Sequence, residues 1–410
     1  MDDPLSIKTF TSKKDKDTMF SKEHLRFEKS SCICMVAVKT KRIKIDLENI
    51  DKESIRKAAE MIDSGALVAF PTETVYGIAC RVRSDCLARL SQLKGRTAEK
   101  YYTLHIARPD DVDQYVPTKS MNVQKMIQNA WPGPLTIVVE LDQPDVEKQR
   151  EKLDEDVFQS LYKNNSIGIR CPDHPVAGFL LQNALHPVVA PSANLTGESP
   201  SVNGDQVFDR FSGHIKMVLD AGPTQYGINS TVVKMGKRGL KILRPGVYSE
   251  DYVRNLSRIH FLFVCTGNTC RSPMAKGLFK KYLAEKLQAD VDEFDRIGYK
   301  VDSAGMIGSV GFPASPQAII ACAAKGVDIG AHRNKELSRE LIEESDFIYV
   351  MEPSHYDKVV ALAPEAANRC MMLDENGRIP DPIGQPQGVY ERCANQIERA
   401  VNKRISELDI

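Results

Sequence analysis

The residues Ile259-His-Phe-Leu-Phe-Val264 form an apolar run that leads directly into Cys265-Thr-Gly-Asn-Thr-Cys-Arg271-Ser-Pro273. A run this short and this apolar reads as a strand buried on both faces. The proline at 273 then opens a helical pattern at its favoured first-turn position. A buried strand that passes through a glycine-containing loop straight into a helix admits few folds. The rest of the chain narrows them further, because helical patterns (Pro273–Leu287, Pro316–Lys325, Lys335–Glu344) alternate with apolar strands (Tyr299–Val301, Phe347–Met351). That alternation predicts a parallel, doubly wound α/β sheet.

The loop carries the chemistry. Cys265 and Arg271 stand six positions apart and can face one centre. Backbone N–H groups of so short a loop, together with the N-terminus of the helix behind it, concentrate positive potential on a phosphate. The same field is expected to lower the Cys265 thiol and make a thiolate nucleophile. Arg271 offers a planar fork matched to two phosphoryl oxygens. The reaction also needs a general acid, and Asp381-Pro382 sits in a turn-rich segment downstream. Cys270, five residues after the nucleophile, suggests a reversible disulfide with Cys265; packing under the loop is the alternative.

At 410 residues the chain exceeds what one core usually organises, which is about 250–300 residues, so two domains are expected. Lys plus Arg (55) equals Asp plus Glu (55), which argues against a global basic surface for nucleic acid. No run approaches the ~20 apolar residues of a membrane span. Ten cysteines without a repeating framework read as reduced thiols, so the expected location is cytoplasmic, with no membrane contact. Residues 1–41 are polar and aperiodic and are expected to be a disordered tail. The Met-Asp-Asp-Pro start has no secretory character, and Met35, just before the first strand, is an alternative start that intact mass would reveal.

From residue 42 to about 256 the pattern is mixed α/β: a strand at Arg42–Ile45, a helix at Ser54–Ile62, and strands at Ala66–Phe70 and Leu135–Val139. Phe70-Pro-Thr-Glu-Thr-Val-Tyr-Gly77 closes a strand with small hydroxyl residues. Lys94-Gly-Arg96, Trp131-Pro-Gly-Pro-Leu-Thr136, Ile169-Arg170, Ala190-Pro-Ser-Ala-Asn194, Ser230-Thr231 and Leu243-Arg-Pro-Gly246 come after it in order. Basic, hydroxyl and amide groups at strand ends suit a triphosphate and a carboxylate without a Walker loop, which is missing from this sequence.

Both halves resemble known families. Val264 to Pro273, with Asp302-Ser-Ala-Gly305 and Asp381-Pro382, is similar to the low-molecular-weight protein tyrosine phosphatases, over about residues 259–410. The resemblance implies Cys265 as nucleophile, Arg271 as transition-state clamp and Asp381 as general acid, with Asn268, Thr269, Ser272 and Ser303 supporting the loop. It also implies a cysteinyl-phosphate intermediate on a phosphoprotein substrate. Thr269 and Ile383 depart from the tyrosine-specific pattern and resemble the protein-arginine phosphatase branch, which implies phosphoarginine ahead of phosphotyrosine.

Residues 42–256 resemble the YrdC-type synthases, which make threonylcarbamoyl-AMP from L-threonine, bicarbonate or CO2 and ATP for tRNA modification. The implied fold is a twisted mixed α/β sheet. Thr74, His105, Arg170 and Ser230 would lie around threonine, and Lys94, Arg96, Ser166, Ser192, Asn194 and Arg244 around ATP, with Mg2+ accompanying the ATP and no protein-bound metal. tRNA or tRNA-modification proteins are the implied partners. The stretch Thr97–Thr103 departs from the family, with Lys100 in place of the ATP-contacting asparagine. The rival reading therefore makes this half a tRNA- or nucleotide-binding module, with the phosphatase as sole activity. Carbamoyl transfer in hydrogenase maturation is disfavoured by the absence of the segments that accompany it.

Overall fold

The computed structural model describes residues 38–95, 102–236, 239–307 and 310–410. Most of the expected tail, Met35 with it, lies outside these residues. Pairing with the sheet is already in place before residue 42: Val38 N donates to Gly213 O (2.9 Å) and Thr40 Oγ1 to Ile215 O (2.6 Å).

The first half is built on a mixed sheet. Its path runs Lys41–Lys44, Met217–Asp220, Val68–Phe70, Gly77–Arg81, Val188–Val189, Thr103–His105, Ser166–Arg170, Leu135–Glu140, Thr231–Gly236, Gly239–Arg244, with Tyr162–Lys163 paired aside on Ser166–Arg170. Parallel and antiparallel neighbours alternate irregularly along it. Helices Lys52–Asp63 and Pro175–Asn183 pack together over one face, where Ile55, Ile62, Val176 and Leu180 meet Val68, Phe70 and Leu219 in a closed core. Asp51 starts the first of these helices by accepting from Ser54 N, the usual carboxylate cap of the exposed first-turn donors.

The second half is a four-stranded, all-parallel sheet in the order Tyr299–Gly305, Ile259–Cys265, Phe347–Val350, Cys370–Met372. The strand order reverses beside Ile259–Cys265, so Cys265 ends its strand at the switch point where open α/β sheets bind ligands. All seven residues of that strand are buried. Phe261 and Phe263 face helices Arg271–Leu287 and Gln387–Ser406, packing with Phe279, Tyr349, Tyr390 and Ile397. Leu262 and Val264 face the opposite layer with Ile342, Val350 and Val359. Each such buried apolar side chain contributes about 1.5–3 kcal/mol, which anchors the catalytic strand from both sides.

The helix expected over Lys335–Glu344 is shorter, Arg339–Glu343. Residues 335–337 are instead drawn alongside the end of Tyr299–Gly305: Gly305 N donates to Lys335 O (2.9 Å) and Leu337 N to Gly305 O (2.8 Å). Ser338 then caps the helix through Leu341 N (3.2 Å). Here tertiary pairing overrides local helix propensity. Helices Pro353–Leu362 and Gln387–Ser406 are not among the expected elements, although Tyr390, Cys393, Ala394, Ile397, Ala400 and Val401 of the second recur at helical spacing.

The two halves touch. Asn122, on helix Met121–Ala130 of the first, donates through Nδ2 to Ser257 O and Gly298 O, both at 2.9 Å. Lys125 Nζ reaches Arg258 O (2.6 Å) and Asp346 Oδ2 (2.7 Å). Among the described residues no helix is long and apolar enough to cross a membrane.

Candidate active sites

A cavity of about 330 Å3 opens in the first half where the Phe70–Gly77 turn, the Ala190–Asn194 segment and the ends of three strands converge. The turn and the Ala190–Asn194 segment are joined by a bridge between Gly77 and Ser192. A Cβ on Gly77 would lie 3.4 Å from Ala190 Cβ and Phe70 Cε1, in contact with both. Lys94, His105, Arg170, Ser192, Asn194, Ser230 and Arg244 all line the cavity.

Three cations converge on it, each held differently. Arg170, buried at the end of strand Ser166–Arg170, donates through Nη2 to Glu73 Oε1 (2.8 Å) and Thr74 Oγ1 (2.7 Å). Its Nε is buried without a partner. Glu73 is locked in turn, accepting from Asp173 N at 3.1 Å. Arg244 donates to Ser230 O (2.8 Å) and Ser230 Oγ (3.1 Å). Burial and the nearby Arg170 charge pull the Arg244 guanidinium below its ordinary value. Lys94 Nζ donates to the carbonyls of Ser192 and Asn194, clamping the loop whose Ser192 Oγ donates to Asn194 Oδ1 (2.5 Å). His105 is buried near Arg170, and burial first, then that charge, push its imidazole down to about 3. It is therefore neutral near pH 7, with Nδ1 at 3.1 Å from Thr103 O.

Two of the residues expected at the site stand off the cavity lining. Thr74 is fully buried behind the lining, bonded to Arg170 and Thr72; Thr72 is the threonine on the cavity wall. Ser166 begins the strand that Arg170 ends, ~13 Å away at the usual rise per residue, and its hydroxyl donates to Lys163 O (2.9 Å) across a hairpin turn. Arg96, Lys100 and Thr97–Tyr101 lie outside the described residues; Tyr102 Oη sits 2.6 Å from Ser91 Oγ. Thr103, Thr136, Thr196 and Asn229 also line the cavity and were not foreseen from the sequence. Of these only Thr136, inside the quoted Trp131–Thr136 motif, carried a signal. Its hydroxyl is 3.1 Å from Ser230 Oγ.

In the second half the loop Thr266–Cys270 wraps the end of the central strand. Asn268 takes the left-handed conformation at φ 53°, which an asparagine tolerates better than most residues. Its side chain ties the loop together: Nδ2 donates to Ser272 Oγ (2.8 Å) and Ser303 Oγ (2.9 Å), and Oδ1 accepts from Lys335 N (3.0 Å). Gly305 permits this closeness, since a Cβ there would lie 2.9 Å from Asn268 N and 3.0 Å from Thr266 O. Ser272 Oγ rests 2.9 Å from Cys265 Sγ. Thr269, half-buried, accepts Ser315 N on its carbonyl (2.9 Å).

Arg271, only 1% exposed, is fully engaged through its terminal nitrogens. Nη1 donates to Glu352 Oε1 (2.5 Å) and Ile379 O (3.1 Å); Nη2 donates to Thr266 Oγ1 (3.0 Å) and to Asp381 Oδ2. His355, buried, has Nε2 3.0 Å from Thr266 Oγ1. Burial and the Arg271 charge push its imidazole down to about 4. Glu352 and His355 were not foreseen, because nothing local in Met351-Glu-Pro-Ser-His355 signals a site.

The expectation for the thiol is also corrected. Burial pushes Cys265 up, and the Ser272 hydroxyl and N–H, the Arg271 charge and the Asn268 N–H oppose that only in part. Arg271, whose charge favours a thiolate, is paired in this structure with Glu352 and Asp381. Cys270 is turned to Ser315 Oγ (3.4 Å) and Tyr390 Oη (3.6 Å), partners it must leave to bond Cys265.

Known proteins are similar to each half. Residues 60–246 match the Sua5/yciO/yrdC family, described as "telomere recombination", and residues 260–409 match the low molecular weight phosphotyrosine protein phosphatase family. The threonylcarbamoyl-AMP synthase of Pyrococcus abyssi is 29% identical over 251 residues, covering 61% of this chain and 71% of that protein. The threonylcarbamoyl-AMP synthase of Bos taurus is 32% identical over 209 residues, covering 48% and 70%. The crystal structure of a low molecular weight protein tyrosine phosphatase from T. tengcongensis is 35% identical, covering 37% of this chain and 99% of that one, with a TM-score of 0.33. Both families consist of enzymes, and each matches one half, so the chain belongs to the threonylcarbamoyl-AMP synthase family and carries a low-molecular-weight phosphotyrosine protein phosphatase domain fused behind it.

Proposed function

We propose that the first half forms threonylcarbamoyl-AMP and pyrophosphate from L-threonine, bicarbonate or CO2 and ATP, for modification of tRNA in the cytoplasm. The observation that carries this is the convergence of Lys94, Arg170 and Arg244 on one cavity whose described lining includes hydroxyls and no carboxylate. Such a site favours a polyanion and a carboxylate together. The unpartnered Arg170 Nε is a donor for the threonine carboxylate, with neutral His105 beside it. Arg244, Lys94 and the Ser192–Asn194 loop would hold the nucleotide. Mg2+ arrives on the phosphates of ATP as part of the substrate. The carbamate oxygen of N-carboxythreonine attacks the α-phosphorus, the bond to the β,γ-phosphates breaks, and pyrophosphate leaves.

The second half, in this reading, hydrolyses phosphorylated protein side chains, phosphoarginine ahead of phosphotyrosine. An incoming phosphoryl dianion displaces Glu352 and Asp381 from Arg271 and restores its field over the loop. The Cys265 proton passes to a phosphoryl oxygen, sulfur attacks phosphorus, and Asp381 protonates the leaving nitrogen or oxygen. Asp381, now a carboxylate, then takes a proton from the water that releases phosphate and frees Cys265.

The test is incubation of the purified chain with ATP, L-threonine, bicarbonate and Mg2+, following pyrophosphate and the adenylate by mass spectrometry. Threonine-dependent product that is lost in Arg244→Ala supports the synthase. Salt-sensitive tRNA binding without product, alongside Cys265-dependent phosphatase activity, would leave the first half a binding module.

A further inference from the structure

His355 is fully buried beside the phosphatase loop, and the proposed chemistry gives it no part. It stands on helix Pro353–Leu362, and its ring meets one loop hydroxyl, with Nε2 3.0 Å from Thr266 Oγ1. Thr266 directly follows the nucleophile and is half-buried. The same Oγ1 is 3.0 Å from Arg271 Nη2, a nitrogen that can only donate.

The direction of the bond between His355 and Thr266 decides what the hydroxyl can do. Burial and the Arg271 charge push the His355 imidazole down to about 4, so near pH 7 it carries a single ring proton. Nδ1 is buried without a partner. A proton there would be an orphaned donor, which folded proteins seldom bury, whereas a bare lone pair is better tolerated. Glu352 Oε1, 3.8 Å from Nε2, also draws the proton to that side of the ring. Nε2 therefore donates to Thr266. Both lone pairs of Oγ1 are then filled, one by His355 and one by Arg271, and the hydroxyl is left with only its proton to offer.

We infer that the Thr266 hydroxyl donates to the phosphoryl oxygen held on Arg271 and is a catalytic residue of the phosphatase site, with His355 as the residue that positions it. This rests on the reading of the second half as a phosphatase.

The contacts of Arg271 fit that role. Its Nη2 carries two protons, one given to Thr266 and the other to Asp381. A phosphoryl oxygen that takes the place of Asp381 on Nη2 sits on the atom that Thr266 already touches, and the Thr266 contact stays in place. A free threonine hydroxyl can turn to accept or to donate; His355 removes the first choice. A donor fixed in this way before the substrate arrives needs no reorganisation as charge shifts among the phosphoryl oxygens.

The test measures kcat/KM for p-nitrophenyl phosphate, a phosphotyrosine peptide and a phosphoarginine peptide. The proteins compared are the parent, Thr266→Val, Thr266→Ser, His355→Asn, His355→Gln and the Thr266→Val/His355→Asn double variant. Valine keeps the shape and removes the hydroxyl, so kcat/KM should fall about 10- to 100-fold, the effect of one donor to a charged oxygen. The fall should be equal on every substrate that the parent turns over, because the phosphoryl group is the part they share. Serine should restore most of the rate, as should glutamine at 355, which returns an N–H near the Nε2 position. Asparagine is too short for that and should be slow, yet the double variant should be no slower than Thr266→Val, since His355 acts through that hydroxyl.

Parent-like turnover in Thr266→Val would overturn the proposal, as would a serine variant as slow as the valine one. A loss that differs between substrates would assign the hydroxyl to the leaving group and overturn it too. Additive losses in the double variant would remove His355 from its positioning role. Calorimetry of each variant separates these outcomes from unfolding: a rate that falls only in step with the folded fraction marks a structural effect and counts against the proposal. A parent inactive on every phosphorylated substrate overturns the phosphatase reading itself; activity abolished by Cys265→Ser keeps that reading standing whatever Thr266 does.

Discussion

Replacing Glu73 with glutamine should destabilise the first half and selectively weaken the proposed threonine site. Glu73 is 2% exposed and Arg170 6%, and the carboxylate holds Arg170 Nη2 at 2.8 Å while accepting Asp173 N at 3.1 Å. Glutamine preserves the volume and leaves a buried guanidinium without its counter-charge. Breaking a buried ion pair by removing one partner costs about 3–5 kcal/mol, and the lower end applies here because Arg170 borders a cavity that water can enter. With a urea dependence of about 2 kcal/mol per molar for a domain of this size, the midpoint should fall by about 1.5 M. The protein supplies its own probe, since its single tryptophan, Trp131, is buried in this half with Nε1 bonded to Leu135 O at 2.7 Å. Tryptophan emission therefore tracks this half against the background of the other. In pyrophosphate release the same variant should raise the threonine KM roughly 10-fold or more, the effect of about 1.4 kcal/mol, with the ATP KM nearly unchanged. A midpoint within about 0.3 M of the parent, or equal effects on both KM values, would refute the assignment of Glu73 as the group that aims Arg170.

The same geometry sets three further outcomes. His105 is pushed down to about 3 by burial and Arg170, so it opposes protonation that the unfolded chain accepts near 6.5. The stability it protects is full above that value and is lost as pH falls, about 2 kcal/mol between pH 6.5 and 5; Trp131 unfolding at the two pH values should show this loss in the parent and not in His105→Asn. Asn268→Ala removes three hydrogen bonds of a fully buried side chain suited to φ 53°; phosphatase kcat should fall at least about 10-fold, with roughly 2–4 kcal/mol of stability lost, read by turnover and by calorimetry. Cys265→Ser should abolish phosphatase turnover and leave threonine-dependent pyrophosphate release untouched, measured side by side on one preparation.

The parts of each site that lie close together along the chain are legible in the sequence. Cys265, Asn268, Arg271 and Ser272 sit within one strand–loop–helix unit, so their meeting is dictated by local geometry. Asp381 is 110 residues from Arg271, and only the need for a general acid, its turn-rich setting and a family motif pointed to it, not local geometry. Glu352 and His355 carried no motif at all. Their arrival depends on the strand order of the parallel sheet, which puts the end of Phe347–Val350 beside Cys265.

In the first half the motifs identified the segments that converge, while the choice of side chains within them depended on the fold. Thr72 and Thr74 are interchangeable in the sequence; a tight turn places one on the wall and the other under Arg170. Ser166 shares a strand with Arg170 but stands at its opposite end. The helix over Lys335–Glu344 was shortened for a related reason, since backbone donors and acceptors at Gly305 were available to pair with residues 335–337 and local periodicity cannot sense them. Residue order and periodicity determined the two architectures and the chemical groups at hand. Only the tertiary structure decided which charges face each other, because a counter-ion such as Glu352 or Glu73 acts through a few ångströms of low-dielectric space and leaves no mark on its neighbours in the chain.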